Sequence, residues 1–206
     1  MQEIYAQYDK TAIAGLPRAL FEGRVITIIS ESEADRAVDY LLSQPILGFD
    51  TETRPSFRRG SLHKVALLQV ATHDTCFLFR LNRIGLPDSL VRLLEDTAIT
   101  KVGLSLKDDF HSLRQRRPFT PGTFIELQSE VKSLGIQDMS LQKLYANLFG
   151  EKISKTQQLT NWEADALTES QQRYAATDAW ACIRIHEAVQ QLLRTGDYRL
   201  IEGSEV

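Results

Sequence analysis

The chain has 206 residues, is 43% hydrophobic and 25% charged, and carries a formal net charge of −3. This length and mixture suit one globular domain with a sizeable core and exclude an intrinsically disordered chain. The slight negative balance excludes a polycation, so binding of any polyanion has to use a local basic patch or bound metal ions.

Residues 1–23 are poorly patterned and read as an N-terminal arm ahead of a domain spanning 24–206. Residues 24–30 (RVITIIS) are rich in β-branched side chains and predict a strand. Residues 32–42 carry Ala34, Val38, Leu41 and Leu42 at helical spacing. The short apolar run 46–49 ends at Asp50, as a buried central strand does. Two more strands follow, 65–72 and 75–81, with His73 and Asp74 between them at hairpin spacing. Residues 87–96 then predict a helix and 99–104 a strand. A helix over 105–116 has Ser105 as its candidate N-cap, with Asp108 three residues on. Residues 123–127 read as a last strand, and the chain from Gln128 onward as mostly helical. Thr168 and Gln171 have capping-box spacing and open a final long helix that ends near Gly196. The order is that of an α/β domain in which a hairpin makes the central sheet mixed.

Cys76 and Cys182 lie far apart with no Cys-x-x-Cys or Cys/His spacing, which predicts two core thiols rather than a zinc site or a disulfide. The polar opening MQEIYAQYDK lacks a signal stretch, and no apolar run approaches the roughly 20 residues of a membrane span. The expectation is a cytoplasmic location, or a nuclear one in a cell that has a nucleus.

Asp50 and Glu52 stand two apart at a strand end, so they share a face. Two acids there repel each other and resist desolvation unless a cation lies between them. An all-oxygen set selects a hard ion such as magnesium or manganese. The plain alternative puts both acids past the strand end in water. Tyr174 and Asp178 share a helical face one turn apart, and Ala175, Ala176, Ala179 and Ala181 let that helix approach a sheet closely. A buried Tyr beside a surface Asp would look the same. Of Asp108 and Asp109, one serves as the helix cap and the other faces the site; helical phase puts Asp109 on the face of Leu113. Together, four acids on three segments can hold two divalent cations about 4 Å apart, an arrangement that clamps an in-line displacement at phosphorus. A Tyr hydroxyl one turn from a ligand can orient the attacking water.

The segments Phe49 to Glu52 (FDTE), Lys101 to Leu113 (KVGLSLKDDFHSL) and Tyr174 to Asp178 (YAATD) resemble, in order, the three motifs of the DEDD superfamily of 3′→5′ exonucleases. The Tyr-x-x-x-Asp spacing resembles its Tyr subgroup, DEDDy, and the chain is most similar to the ribonuclease D and Werner-type exonuclease group. The likeness runs over roughly residues 24–195. It extends to Gln69, to Ser140-Leu-Gln-Lys-Leu144, and to Lys155-Thr156 with Asn161-Trp162; it departs at Glu126, where an Asp is more usual. The resemblance implies a ribonuclease H-like fold, a mixed central sheet flanked by helices. It implies that Asp50, Glu52 and Asp178 bind one metal ion, that Asp50 also touches a second, and that Asp109 holds the second through water. Arg173 stands where the His subgroup has its His, which excludes that subgroup. The implied reaction is hydrolysis of the phosphodiester at a single-stranded 3′ end of DNA or RNA, releasing nucleoside monophosphates with two Mg²⁺ or Mn²⁺ ions.

No acid occurs between Glu52 and Asp74, and residues 54–64 carry four Arg or Lys and one aromatic. Thr51, Arg54, Phe57 and Arg58 are therefore the expected substrate contacts, Phe57 by stacking on a base, with Lys155 added by the resemblance. The alternative is a solvated basic loop. Arg114, Arg116 and Arg117 read as a complement to a helix C-terminus. Trp162 either packs beneath the last helix or stacks on a base. Two other functions fit parts of the pattern. A phosphatase with Asp50 as nucleophile leaves Tyr174 without a role, and a nucleic-acid-binding module without activity has no need of the complete acidic set.

Overall fold

The computed structural model of the protein describes residues 1–56 and 63–202. In chain order its elements are β1 (Gln2–Tyr5), β2 (Arg24–Ile28), α1 (Glu31–Leu41), β3 (Ile46–Glu52), β4 (Leu67–Ala71), β5 (Thr75–Phe79), the short α2 (Leu81–Ile84), α3 (Asp88–Glu95), β6 (Thr100–Gly103), α4 (Leu106–Arg114), β7 (Phe124–Glu126), the short α5 (Leu127–Glu130), α6 (Leu141–Phe149), α7 (Glu169–Thr195) and β8 (Tyr198–Ile201). Six strands form the central sheet in the order β2, β5, β4, β3, β6, β7. The β4 strand runs against β3 and β5, and the other pairs are parallel, so the sheet is mixed as its sequence pattern predicts.

Alternation along β3 decides what each face of the sheet does. Leu47 and Phe49 point into a core shared with α1 and α3, where Val38, Leu41, Leu90 and Leu94 are fully buried. Each such side chain removed from water contributes about 1.5–3 kcal/mol. Gly48, Asp50 and Glu52 have the opposite parity and face α7. Here the helix lies almost on the strand. A Cβ at Gly48 would sit 1.9 Å from the Ala179 carbonyl oxygen, so only hydrogen fits. Ala175, Ala176 and Ala179, all fully buried, supply the matching flat surface.

The capping box at Thr168 and Gln171 is present, and Gly196 ends α7 with a left-handed φ of 64°. The chain from Gln128 on is mostly helical, as expected, with an irregular stretch between α6 and α7. The poorly patterned N-terminus contains β1, which pairs in parallel with β8 from Gln2↔Tyr198 to Tyr5↔Ile201. Asn147 on α6 ties β1 down, accepting from the Tyr5 N–H at 2.9 Å and donating to its carbonyl at 2.7 Å.

Candidate active site

The close approach of β3 and α7 brings acids from both together. Asp50, Glu52 and Asp178 each present a carboxylate oxygen within 4.8 Å of the other two. Glu52 and Asp178 are buried, and Asp50 keeps part of its surface open. Burial, then the neighbouring Asp178, raises the Asp50 carboxyl well above the usual carboxylate range. Burial and the charges of Asp50, Asp178 and Asp109 push Glu52 up to about 10. Burial carries Asp178 up to about 7, opposed by the Tyr174 hydroxyl and by Lys155. The group is therefore short of positive charge. Asp178 Oδ1 is buried without a hydrogen-bond partner among the described residues, as is Asp109 Oδ2. Hard oxygen donors that repel one another and retain unused lone pairs fit a divalent cation such as magnesium or manganese.

Asp109 comes from the other side of the sheet. It lies on α4, and the Thr51 hydroxyl donates to its Oδ1 at 2.5 Å. Thr51 has the parity opposite to Asp50, so its hydroxyl is turned toward α4; it was expected to touch substrate. Burial and the Asp50 charge push Asp109 up to about 8, against the Thr51 hydrogen bond. The start of α4 departs from the sequence reading. Ser105 adopts a left-handed φ of 62° and its side chain makes no cap. The Ser105 and Leu106 N–H groups instead donate to the two Glu126 oxygens at 3.0 and 2.7 Å. Gln128 donates to the Ser105 hydroxyl at 3.0 Å. A left-handed non-glycine residue costs about 1–2 kcal/mol, which these bonds offset. Glu126 thus fixes the helix that carries Asp109. The sequence signals it only as a departure from the usual Asp, because a cap supplied from 20 residues downstream leaves no local trace.

Tyr174 is buried one turn before Asp178, and its ring packs on Trp162 at 6.0 Å between centroids. Trp162 is fully buried, so packing rather than base stacking is its role. Burial, then the charges of Asp178, Glu52 and Asp50, pushes the Tyr174 phenol far up, so it stays neutral at any working pH. Lys155, Tyr174 and Asp178 border a cavity of about 270 Å³ with Leu104, Ser140 and Gln142. Gln69 lies opposite Asp50 in the β3–β4 register, its Nε2 3.5 Å from Asp50 Oδ2. Arg54 is turned to Glu163, with Nη1 3.2 Å from Oε2. Phe57 and Arg58 lie outside the described residues.

Residues 25–194 match the family described as 3′-5′ exonuclease. The chain is 30% identical over 166 residues to the bifunctional 3′-5′ exonuclease/ATP-dependent helicase WRN of Mus musculus, covering 78% of this chain and 12% of that protein. It is 28% identical over 200 residues to a 3′-5′ exonuclease of Arabidopsis thaliana, covering 85% of this chain and 67% of the relative. Among solved structures, the EXO domain of Nibbler from Aedes aegypti superimposes with a TM-score of 0.78 at 21% identity, over 88% of this chain and 94% of that one. The shared fold is ribonuclease H-like, a mixed sheet between helices. Among the described residues no helix is long and apolar enough to cross a membrane.

Proposed function

The chain belongs to the 3′-5′ exonuclease family, and from that premise we propose that it removes nucleoside monophosphates from the 3′ end of a DNA or RNA strand with divalent cations held by its carboxylates. The observation that carries this reading is the Asp50, Glu52 and Asp178 oxygen cluster with Tyr174 one helical turn away. Asp50, Glu52 and Asp178 would hold one cation, and Asp109, fixed by Thr51 across the sheet, would serve a second. When bound, such ions supply Lewis acidity, making water a usable nucleophile and neutralising charge on the leaving 3′-oxygen.

The chain's own residues supply orientation. The Tyr174 phenol is neutral, so it cannot take the water's proton as a phenolate base. It can accept one hydrogen bond and donate another, which aligns the attacking water. Lys155 places a positive charge beside Asp178, where the phosphoryl group would carry its negative charge. DNA and RNA are both candidate substrates, told apart by whether a contact to the 2′-hydroxyl is made.

The test is degradation of 5′-labelled DNA and RNA strands with magnesium, manganese or a chelator, using wild type and Asp50→Ala. Shortening from the 3′ end that needs the metal and is lost in the variant supports the reading. Intact strands under every condition would sink it, and a binding module without activity would then be the better account.

A further inference from the structure

We propose that Glu163 is a built-in stand-in for a substrate phosphate, its carboxylate filling an anion site that a backbone phosphate of the incoming strand takes over. The inference rests on the exonuclease reading and concerns how the same site admits its substrate. Two side chains, Arg54 and His63, meet this one carboxylate. Arg54, two residues beyond Glu52, meets Oε2 at 3.2 Å, and His63 Nδ1 meets Oε1 at 3.5 Å. Arg116, whose Nε donates to the Val65 carbonyl at 2.6 Å, also feels the Glu163 charge. Each carboxylate oxygen thus faces its own partner, the geometry that two phosphate oxygens would present.

The carboxylate is not needed to hold its own segment. The Ala164 carbonyl accepts from Arg80, and the Asp165 carbonyl accepts from Arg83 at 2.6 Å. The Glu163 N–H donates to the Asn161 side chain at 3.1 Å, and Trp162 anchors the segment in the core. With the backbone fixed elsewhere, the Glu163 side chain can swing out alone. The Arg54 side chain is 45% exposed and that of Glu163 27%, so the pair is open to an incoming anion. Exposed pairs of this kind contribute only about 0–1 kcal/mol, which makes the exchange cheap. Glu163 then competes with the strand and weakens capture of anions that offer a single phosphate.

Anisotropy of a short 5′-labelled single strand, as DNA and as RNA, tests this in chelator with wild type and Glu163→Gln. Glu163→Gln is expected to bind about 3- to 10-fold more tightly at low salt. Its salt dependence is expected to steepen by about 0.7 in log–log slope, one added phosphate contact. The gain is expected to vanish when Arg54→Gln is added. Unchanged or weaker binding by Glu163→Gln overturns the inference, weaker binding meaning that the carboxylate merely orients Arg54. Glu163→Ala repeats the measurement should the first variant melt early. Wild-type degradation in magnesium separates the two claims: an active wild type with an unresponsive Glu163→Gln sinks only the inference, and a wild type that neither binds nor degrades strands sinks both.

Discussion

Tyr174 is held by Trp162 on one side and faces Asp178 on the other, and burial keeps its phenol neutral. On the proposed mechanism its hydroxyl orients water and binds no ion. Tyr174→Phe is therefore expected to lower kcat by about 10²-fold, while titration with manganese gives an affinity within a few-fold of wild type. An equal loss of metal affinity would contradict the orienting role. The raised carboxyls make a second residue-scale prediction. A carboxyl whose pKa is higher folded than unfolded keeps its proton while the unfolded chain releases one, so stability falls as pH rises between the two values. For Asp178 that window runs from the usual carboxylate value near 4 to about 7. In chelator, wild type is expected to lose stability relative to Asp178→Asn as pH rises through this window. Magnesium is expected to restore the wild type, increasingly so toward higher pH, because the bound ion favours the ionised acids. Parallel pH profiles in chelator would show that the acids are not desolvated as described.

At the scale of elements, the site depends on how closely α7 lies on β3. Gly48→Ala would force a methyl group into the Ala179 carbonyl, and the backbone has to yield. This change is expected to cost about 1–3 kcal/mol or more and to reduce activity beyond the loss of folded protein, because Asp50 and Asp178 move apart. A variant with wild-type melting temperature and rate would contradict the packing. The same elements show what the sequence reveals. The Thr168–Gln171 box is local, so it was legible to the residue, and the buried run ending at Asp50 was legible because both its neighbours are strands. Ser105 was misread as a side-chain cap because its true partner, Glu126, comes from β7. Strand parity turns the Thr51 hydroxyl toward α4, where it donates to Asp109. Helical phase and the family pattern single out Asp109, but its tether to Thr51 across the sheet leaves no sequence signal.

For the whole molecule, β1 and β8 join the two ends of the chain outside the 25–194 match. Four-residue strands with no alternation leave no sequence signal, yet they bury Ile4 and satisfy Asn147. Deleting residues 1–8 is expected to strand the buried Asn147 amide and lower the melting temperature by roughly 4–8 °C; an unchanged melt would mean the pairing contributes nothing. The most direct test follows a strand labelled on its 3′-terminal nucleotide beside a circular strand of the same sequence, in magnesium. The account predicts that the label is released first as a nucleoside monophosphate while the circle stays intact; release in longer fragments, or cutting of the circle, would contradict it.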